Sequence, residues 1–368
     1  MRELGDVYMT NIRGERMSTN TTEQFQFSGK GSEYFRIWIV NLALTLLTLG
    51  IYSAWAKVRR LQYFYRHTAL AGSSFDYHGD PKAILKGRII AVVLLVIYNV
   101  AGNLNPIWGL VAFVVLLIVL PWLIQRSLQF KLHNSSYRGL RFSFGGRTGQ
   151  AYKNFLAWPL AGYVTLGLLM PLAHQRIKAY QHGSSRYGTE PFFFSARPKQ
   201  FYNIYLKLLG LILVLLIVLA GGIAAGMYGM SGVFSGTSLD TDSKKQMLGV
   251  GIIVALVFYL LAFLLIGPWF SARIQNLVWN HTALGENPLS SNVRARDLFW
   301  LYLTNFIAII ITLGLFKPFA DIRLARYRLE HLAMLPKTSL DDISAGQAQA
   351  TSATGEESAD LFDFDISF

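Results

Sequence analysis

Long apolar runs alternate with shorter basic stretches along most of this chain. A helix that crosses a bilayer needs about 20 apolar residues, and most of the runs approach that length. A buried soluble core rarely needs so many of them, so the pattern predicts an all-α polytopic membrane protein. The seven runs are Tyr34–Trp55, Gly87–Ala101, Trp108–Ile124, Phe155–Leu172, Tyr202–Met227, Leu248–Phe270 and Leu298–Phe319.

The stretch 48–79 contains the end of the first apolar run and the basic segment after it. Thr48-Leu49-Gly50 ends the run, and a short basic helix rich in aromatic residues comes next. Two strand-like pieces, Thr68–Ala71 and Ser74–Tyr77, then lead to a glycine, which predicts a short β-hairpin. Basic residues that border apolar segments are typical of cytoplasmic loops, so we expect the hairpin-like pieces on the cytoplasmic face.

The same order of residues returns four more times, which predicts an internal repeat of about five elbow helices. An arginine stands at the equivalent place in all five copies, and a tryptophan precedes it by four residues in three of them. Tryptophan favours the headgroup layer of a membrane, where arginine reaches lipid phosphates. The sequence therefore predicts interfacial, lipid-headgroup residues at Trp55, Arg59, Trp122, Arg126, Arg176, Trp269, Arg273 and Arg323.

Two interpretations of these arginines stay open. In the first, each arginine anchors and orients its helix at the membrane surface, as is common in membrane proteins. In the second, the five arginines form a ring that binds anionic lipid headgroups.

Three of the runs, 34–55, 155–172 and 298–319, carry basic stretches at both ends. Full spans there would place copies of the repeat on opposite sides of the membrane, as in an inverted repeat. Re-entrant segments would keep every copy on the cytoplasmic side, as positive charge favours. Length favours spanning and charge favours re-entry, so the sequence leaves both topologies open.

The chain divides into a central membrane domain and two polar tails. Residues 1–24 are polar and expected to be disordered, and residues 25–335 hold the seven apolar runs and the repeats. Residues 336–368 are acidic and are also expected to be disordered. The first 33 residues lack the apolar core of a signal peptide. Met17 suits a translation start as well as Met1 does, so the sequence leaves the natural start open.

Composition supports a membrane location. Hydrophobic residues make up 52% of the 368 residues and charged residues only 15%, against about 25% in soluble domains. The formal net charge is +13, but the basic residues border apolar runs, so we expect no nucleic-acid partner. The chain has no cysteine, which excludes disulfides and thiolate metal sites.

No arrangement of side chains in the sequence indicates catalysis. The seven histidines form neither a His-x-x-x-His pair nor an HExxH sequence, and no P-loop or Gly-x-Ser-x-Gly elbow is present. His67, His281 and His331 stand at equivalent places in the repeat, which favours a structural role. We therefore expect a non-enzymatic protein with no catalytic residue, no cofactor and no metal site.

Transport of an unidentified solute is the alternative function. Ion-coupled carriers place ionisable groups at mid-membrane depth, whereas carboxylates stand only at the ends of these runs. A polar cavity lined by Asn41, Thr304 and Asn305 would favour a transporter or channel. Gly222 and Gly226 form a small-residue face that serves either helix packing or a homo-oligomer.

Three sequence features together resemble the YjgN family of bacterial inner-membrane proteins, which is defined as a domain of unknown function. They are Phe25-x-Phe27-x-Gly29, Thr48-Leu49-Gly50-Ile51-Tyr52-x-x-Trp55 and Phe75-x-Tyr77-x-Gly79. The resemblance covers roughly residues 25–335, with alanine at position 54 where later copies have proline. It implies a multi-pass inner-membrane protein of unknown activity and carries over no catalytic residue. We expect membrane lipids, including anionic ones, as partners and a structural or lipid-surface role.

Overall fold

The computed structural model describes residues 22–234 and 241–337, without the side chains of most residues between 223 and 263. The choice between Met1 and Met17 and nearly all of both tails lie outside these residues. The strands are β1 (Glu23–Gln24), β2 (Gln26–Phe27), β3 (Thr68–Leu70), β4 (Ser73–Tyr77), β5 (Ser135–Tyr137), β6 (Leu140–Phe144), β7 (Ser185–Tyr187), β8 (Glu190–Phe194), β9 (Thr282–Leu284), β10 (Asn287–Ser291) and β11 (Leu332–Met334).

Helices account for most of the other described residues. They are α1 (Gly31–Leu47), α2 (Ser53–Arg66), α3 (Pro81–Leu104), α4 (Pro106–His133), α5 (Thr148–Tyr152), α6 (Trp158–Val164), α7 (Met170–Gly183), α8 (Pro198–Phe234), α9 (Thr241–Trp279), α10 (Ala295–Ile311) and α11 (Lys317–Glu330). A π-helical turn over Lys153–Ala157 joins α5 to α6.

The strands of the described residues form one antiparallel sheet that closes into a ring. Its order is β1-β11-β10-β9-β8-β7-β6-β5-β4-β3-β2. β1 and β2 are the two halves of one segment, 23–27, which Phe25 divides. Glu23 lies opposite Met334 in β11, and Phe27 lies opposite Thr68 in β3. Residues 23–27 therefore join the two ends of the sheet.

The tight turns that join paired strands determine at which edge of the ring the helices attach. Ala71-Gly72 and Arg138-Gly139 have positive φ at both residues, 46° and 74° in the first pair and 46° and 79° in the second. A type I′ turn requires this combination, and its twist matches that of the flanking strands. These turns lie at one edge of the ring. Each helix consequently joins the ring at the opposite edge.

Between successive strand pairs the chain makes a helical hairpin that leaves the ring and returns to it. Hairpins α3–α4 and α8–α9 are long, and hairpins α1–α2, α5–α7 and α10–α11 are short. The second helix of each hairpin packs against the first helix of the next, and α11 packs against α1. The hairpins thus form a closed ring of helices on one edge of the ring of strands.

Each short hairpin reverses at a Thr-Leu-Gly sequence, which we call its tip. In the first tip, Leu49 and Gly50 have φ values of 49° and 93°, and the Thr48 hydroxyl accepts a hydrogen bond from the Tyr52 amide at 2.9 Å. Glycine adopts such a φ without the steric cost that other residues meet. The tip leucines at positions 49, 166 and 313 are 95%, 95% and 93% exposed, respectively. Each short hairpin therefore ends in a bare apolar surface.

The prediction of an all-α polytopic membrane protein is wrong. The described residues contain an eleven-stranded sheet, and three helical segments are long and apolar enough to cross a membrane: Pro81–Leu104, Pro106–His133 and Pro198–Gly222. The runs 34–55, 155–172 and 298–319 reverse at their tips and return to the same edge of the ring. Strands of two to five residues give little periodic signal, and their pairing joins residues far apart in sequence. Glu23 and Gln24, assigned above to a disordered tail, form β1.

Candidate functional site

The five arginines singled out by the sequence are all exposed. Arg126 and Arg176 precede by two residues Leu128 and Lys178, which line a central cavity. Two residues turn a helix by about 200°, so these arginines lie on the side of the helix away from the cavity. Arg59, Arg273 and Arg323 occupy the equivalent positions in the second helices of the other hairpins.

Aromatic rings lie beneath three of these arginines. The Arg59, Arg126 and Arg176 guanidinium carbons lie 5.7, 5.7 and 5.9 Å from the ring centroids of Tyr52, Trp122 and Trp158, respectively. The prediction paired Arg59 with Trp55, which is half-buried and stacks on Tyr52 instead, with centroids 6.1 Å apart. Trp269 is half-buried four residues before Arg273. The sequence pattern does not indicate Tyr52 and Trp158, because neither stands four residues before an arginine.

Amide and hydroxyl groups hold the last arginine. Arg323 donates from Nη1 to Asn305 Oδ1 at 2.6 Å and from Nη2 to Thr304 Oγ1 at 3.2 Å. Within the described part of the chain, none of the five arginines lies within 4.0 Å of a carboxylate. Their positive charges are therefore not neutralised by the protein residues described.

The equivalent histidines close the ends of their helices. Nδ1 of His67, His281 and His331 lies 2.7 to 2.8 Å from the carbonyl oxygen four residues earlier. Asn134 makes the same contact at the end of α4, donating from Nδ2 to the Phe130 carbonyl at 2.8 Å. These side chains satisfy carbonyl groups that a helix C-terminus leaves without a partner. Their contacts are structural.

A chamber that was not predicted from the sequence lies at the centre of the molecule. It has a volume of about 670 Å³ and lies between the inner face of the strands and the last turns of α2, α4, α7, α9 and α11. Two layers of side chains from the strands line it. The first layer is Leu70, Tyr137, Tyr187, Leu284 and Met334, and the second is Phe25, Phe75, Phe142, Phe192 and Leu289.

Two tyrosine hydroxyls of the chamber wall, those on the strands, are already hydrogen-bonded to backbone. Tyr137 donates to the Leu70 carbonyl at 2.6 Å, and Tyr187 donates to the Tyr137 carbonyl at 2.9 Å. The ring centroids of Phe75 and Tyr137 lie 4.6 Å apart, and those of Phe142 and Tyr187 lie 4.9 Å apart. The strands thus present mainly aromatic and aliphatic surface to the chamber.

The helix end of the chamber combines apolar side chains, such as Leu128, Leu132 and Trp279, with polar and basic ones. Lys131, Lys178, Gln181 and His182 line it, and no aspartate or glutamate belongs to the described lining. Burial and then the positive charge of Lys131 lower the pKa of Lys178, whose Nζ donates to Gln181 Oε1 at 3.3 Å. Burial and then the charge of Lys178 lower the pKa of His182 to about 4, so its imidazole is neutral at pH 7.

A signal for the chamber is present in the sequence. Phe25-x-Phe27-x-Gly29 matches Phe75-x-Tyr77-x-Gly79, yet only the two residues of β1 precede it, and no strand follows Leu332–Met334 within the described residues. Each of these two segments lacks the partner strand that completes the other hairpins. The two segments can therefore pair with each other and close the sheet. The inward-facing phenylalanines of the repeat would then surround a common centre.

The described residues contain no group of three or more histidine, aspartate or glutamate side chains that could hold a metal ion.

The model for a family described as a bacterial protein of unknown function (DUF898) matches residues 22–361. The chain belongs to the DUF898 family. This match covers nearly the whole chain and includes the ring and both kinds of hairpin.

Relatives of this DUF898 chain confirm the resemblance to YjgN. The inner membrane protein YjgN of Salmonella typhimurium is 31% identical over 155 residues, which are 41% of this chain and 38% of the relative. The inner membrane protein YjgN of Escherichia coli K12 is 31% identical over 130 residues, 33% of this chain and 31% of the relative. The matches thus span well under two thirds of either relative. No solved structure gives a significant match.

These comparisons and the three long apolar helices support a membrane location for the DUF898 chain. Asn41, Thr304 and Asn305 do not line the chamber. Asn305 and Thr304 instead accept hydrogen bonds from Arg323. Gly222 ends the described part of its span, and the side chain at position 226 lies outside the described residues, so pairing between two copies stays a prediction.

Proposed function

We propose that this protein is a non-enzymatic, multi-pass inner-membrane protein that organises anionic lipids at the cytoplasmic surface of the bilayer. The strand ring lies in the cytoplasm, the long hairpins cross the membrane, and the short hairpins enter it from the cytoplasmic side. The basic character of the segments next to the ring supports this orientation, because cytoplasmic segments are enriched in lysine and arginine. The YjgN relatives, named as inner membrane proteins, support the location.

The observation that carries the proposal is the set of five exposed arginines with no carboxylate partner in the described residues. Arginine binds phosphate groups through several N–H donors, and an adjacent aromatic ring orients the guanidinium group. An arginine without a carboxylate partner gains about 1 kcal/mol at the surface of an anionic leaflet. Five of them make the hairpin ring a preferred contact for anionic lipid.

The position of the arginines along the hairpins agrees with this role. In each short hairpin the arginine follows the tip glycine by nine residues. Arg59 is the seventh residue of α2, so it lies about 9 Å along the axis from the start of that helix. When the exposed leucine of the tip is in the hydrocarbon, the arginine lies near the phosphate layer. The repeated spacing also supports the interpretation of the hairpins as an internal repeat.

Transport is the rival proposal and has less support. It would place substrate beside Asn41, Thr304 and Asn305, but two of these three contact an arginine and none of the three lines the chamber. Lipid binding uses surfaces that the fold already exposes, so it needs no passage across the membrane.

Purification of a triple variant, Arg59→Ala with Arg126→Ala and Arg273→Ala, tests the lipid-surface role. Removing about 1 kcal/mol of attraction at each site should leave the variant with less than half of the co-purified phosphatidylglycerol and cardiolipin. Phosphatidylethanolamine should stay unchanged. Quantitative lipid mass spectrometry of the detergent-extracted protein measures the ratio.

The matched control removes three exposed arginines at or next to the strands: Arg141→Ala, Arg147→Ala and Arg186→Ala. This control should retain its anionic lipids, although it loses the same charge. If both triple variants lose anionic lipid equally, net charge and not the hairpin arginines determines retention. If neither loses any while both remain folded, the arginines are anchors and the proposal is wrong.

A further inference from the structure

The central chamber combines two basic side chains with an apolar wall. Lys131, near the end of α4, and Lys178, on α7, reach it from different hairpins, and each carries no ion pair in the described residues. The lowered pKa of Lys178 reflects its burial and the proximity of Lys131. Lys178 is half-buried, and a partly buried charge without a counterion is costly, whereas Lys131 is exposed. The free energy of this arrangement falls when an anion lies between the two ammonium groups.

Neighbouring groups do not supply this anion. The Gln181 amide contacts Lys178 through its oxygen, which carries only a partial charge. Carbonyl groups at the helix ends attract cations weakly compared with a full negative charge. His182 is neutral at pH 7, so it adds no positive charge but does not compensate either lysine.

The strand end of the chamber favours an apolar group. Tyr137 and Tyr187 use their hydroxyls on backbone carbonyls, and therefore present ring surface to the cavity. Phe142 lies between them along the wall, 4.9 Å from the ring of Tyr187. The volume of about 670 Å³ is within the range of about 300–1,000 Å³ typical of small-molecule sites.

We propose that the chamber binds an amphiphile that has an apolar body and one anionic group, either a carboxylate or a phosphate ester. The anionic group lies between Lys131 and Lys178, and the apolar body extends towards Tyr137, Tyr187 and Phe142. The chamber faces away from Arg126 and Arg176, so this site is separate from the lipid-surface role. Either proposal can fail while the other stands.

Competition on the full-length protein in a neutral maltoside detergent tests the site. The probe is 11-(dansylamino)undecanoic acid, whose fluorescence rises in an apolar environment. Dodecanoate and dodecyl phosphate are the two anionic competitors, and dodecanol and dodecylammonium match their chain length. We expect at least one anionic competitor to displace the probe at about a tenfold lower concentration than dodecanol does. The better of the two identifies the anionic group.

Substitutions locate the binding. Lys131→Gln combined with Lys178→Gln should weaken the anionic competitor about tenfold and leave dodecanol unchanged, because only the charge is removed. Lys131→Arg combined with Lys178→Arg should restore most of the affinity. Lys82→Gln combined with Lys86→Gln on α3, outside the chamber, is the control and should behave like the unmodified protein.

Three results would overturn the proposal. They are no saturable binding of the probe, equal displacement by dodecanol and by both anions, or unchanged anion affinity in the folded glutamine variant. Should that variant fail to fold, as judged by size-exclusion chromatography, the comparison of competitors on the unmodified protein still decides whether an anionic group is recognised.

Discussion

Burial holds two histidines of α7 in their neutral form at pH 7. His182 stacks on Phe194 with centroids 5.6 Å apart and meets Trp279 edge-on at 5.4 Å. Its charged neighbour is Lys178 on the same helix, which disfavours a second positive charge. The pKa of His182 is therefore lowered from 6.5 to about 4. His174 on the same helix is lowered to about 4 for the same main reason, burial.

Acidification should destabilise the protein through His182. Between pH 6.5 and about 4 the unfolded chain binds a proton that the folded chain does not, so the free energy of unfolding falls as the pH falls. His182→Gln should remove part of this dependence, and His174 should retain the rest. Thermal unfolding at pH 7, 6 and 5 measures it as the drop in Tm. The exposed His133→Gln is the control, and an identical drop in His182→Gln and unmodified protein would contradict the prediction.

Among the elements, the short hairpins depend most on the backbone conformation of their Thr-Leu-Gly tips. Their tips combine a threonine that caps the return helix, a leucine that faces outwards and a glycine in the left-handed region. In the first and last tips the glycine amide donates to a carbonyl five residues earlier at 2.7 Å. An apolar run is thereby reversed without a polar loop, which explains why length alone suggested a membrane span.

Replacing a tip glycine should destabilise the protein through backbone strain alone, without a steric clash. Gly50 has φ of 93°, and a Cβ added there would meet no atom within 4 Å. Gly50→Ala should therefore lower the free energy of unfolding by about 1–2 kcal/mol through strain and not through a clash. Gly87→Ala, in α3 and equally uncrowded, should raise it by up to about 1 kcal/mol. The unfolding midpoint measures both effects and should fall in Gly50→Ala and rise in Gly87→Ala. Shifts of equal sign and size in the two variants would contradict the prediction.

At the scale of the whole molecule, one ring organises both the aqueous and the membrane parts. Every hairpin begins and ends on the same edge of the strands, so all five hairpins lie on one side. Long hairpins extend the ring of helices further than short ones, and the short ones leave bare leucines at their tips. We therefore expect two depths of membrane insertion within one closed assembly.

Single cysteines test this arrangement, since the chain has none of its own. Ser74→Cys and Thr189→Cys, both exposed near the strand turns, should react with a membrane-impermeant maleimide from the cytoplasmic side alone. Leu104→Cys, at the turn of a long hairpin, should react from the periplasmic side. Leu49→Cys should be protected from both sides by lipid. Labelling of positions 74 and 189 from opposite sides would disprove the common orientation.

The sequence predicts the local parts of this structure better than their assembly. Thr48-Leu49-Gly50 and the strand-like pieces around Gly72 are recognisable because each depends on neighbouring residues. The closed sheet is not recognisable from the sequence, because Phe27 pairs with Thr68 and Glu23 with Met334 over long sequence separations. The positions of the exposed arginines can be predicted from their regular spacing along the sequence. The chamber cannot, because Lys131 and Lys178 come together only once the ring closes.

Closure by residues 23–27 also has a consequence for how the protein is made. This segment is synthesised before the other strands of the ring, and its partner β11 is completed only after some 300 further residues. One edge of the earliest strand pair must therefore stay open until β11 has been synthesised. The described ends of the chain also meet, with Glu23 opposite Met334. A gene opened at another strand turn and joined across these ends would encode the same ring.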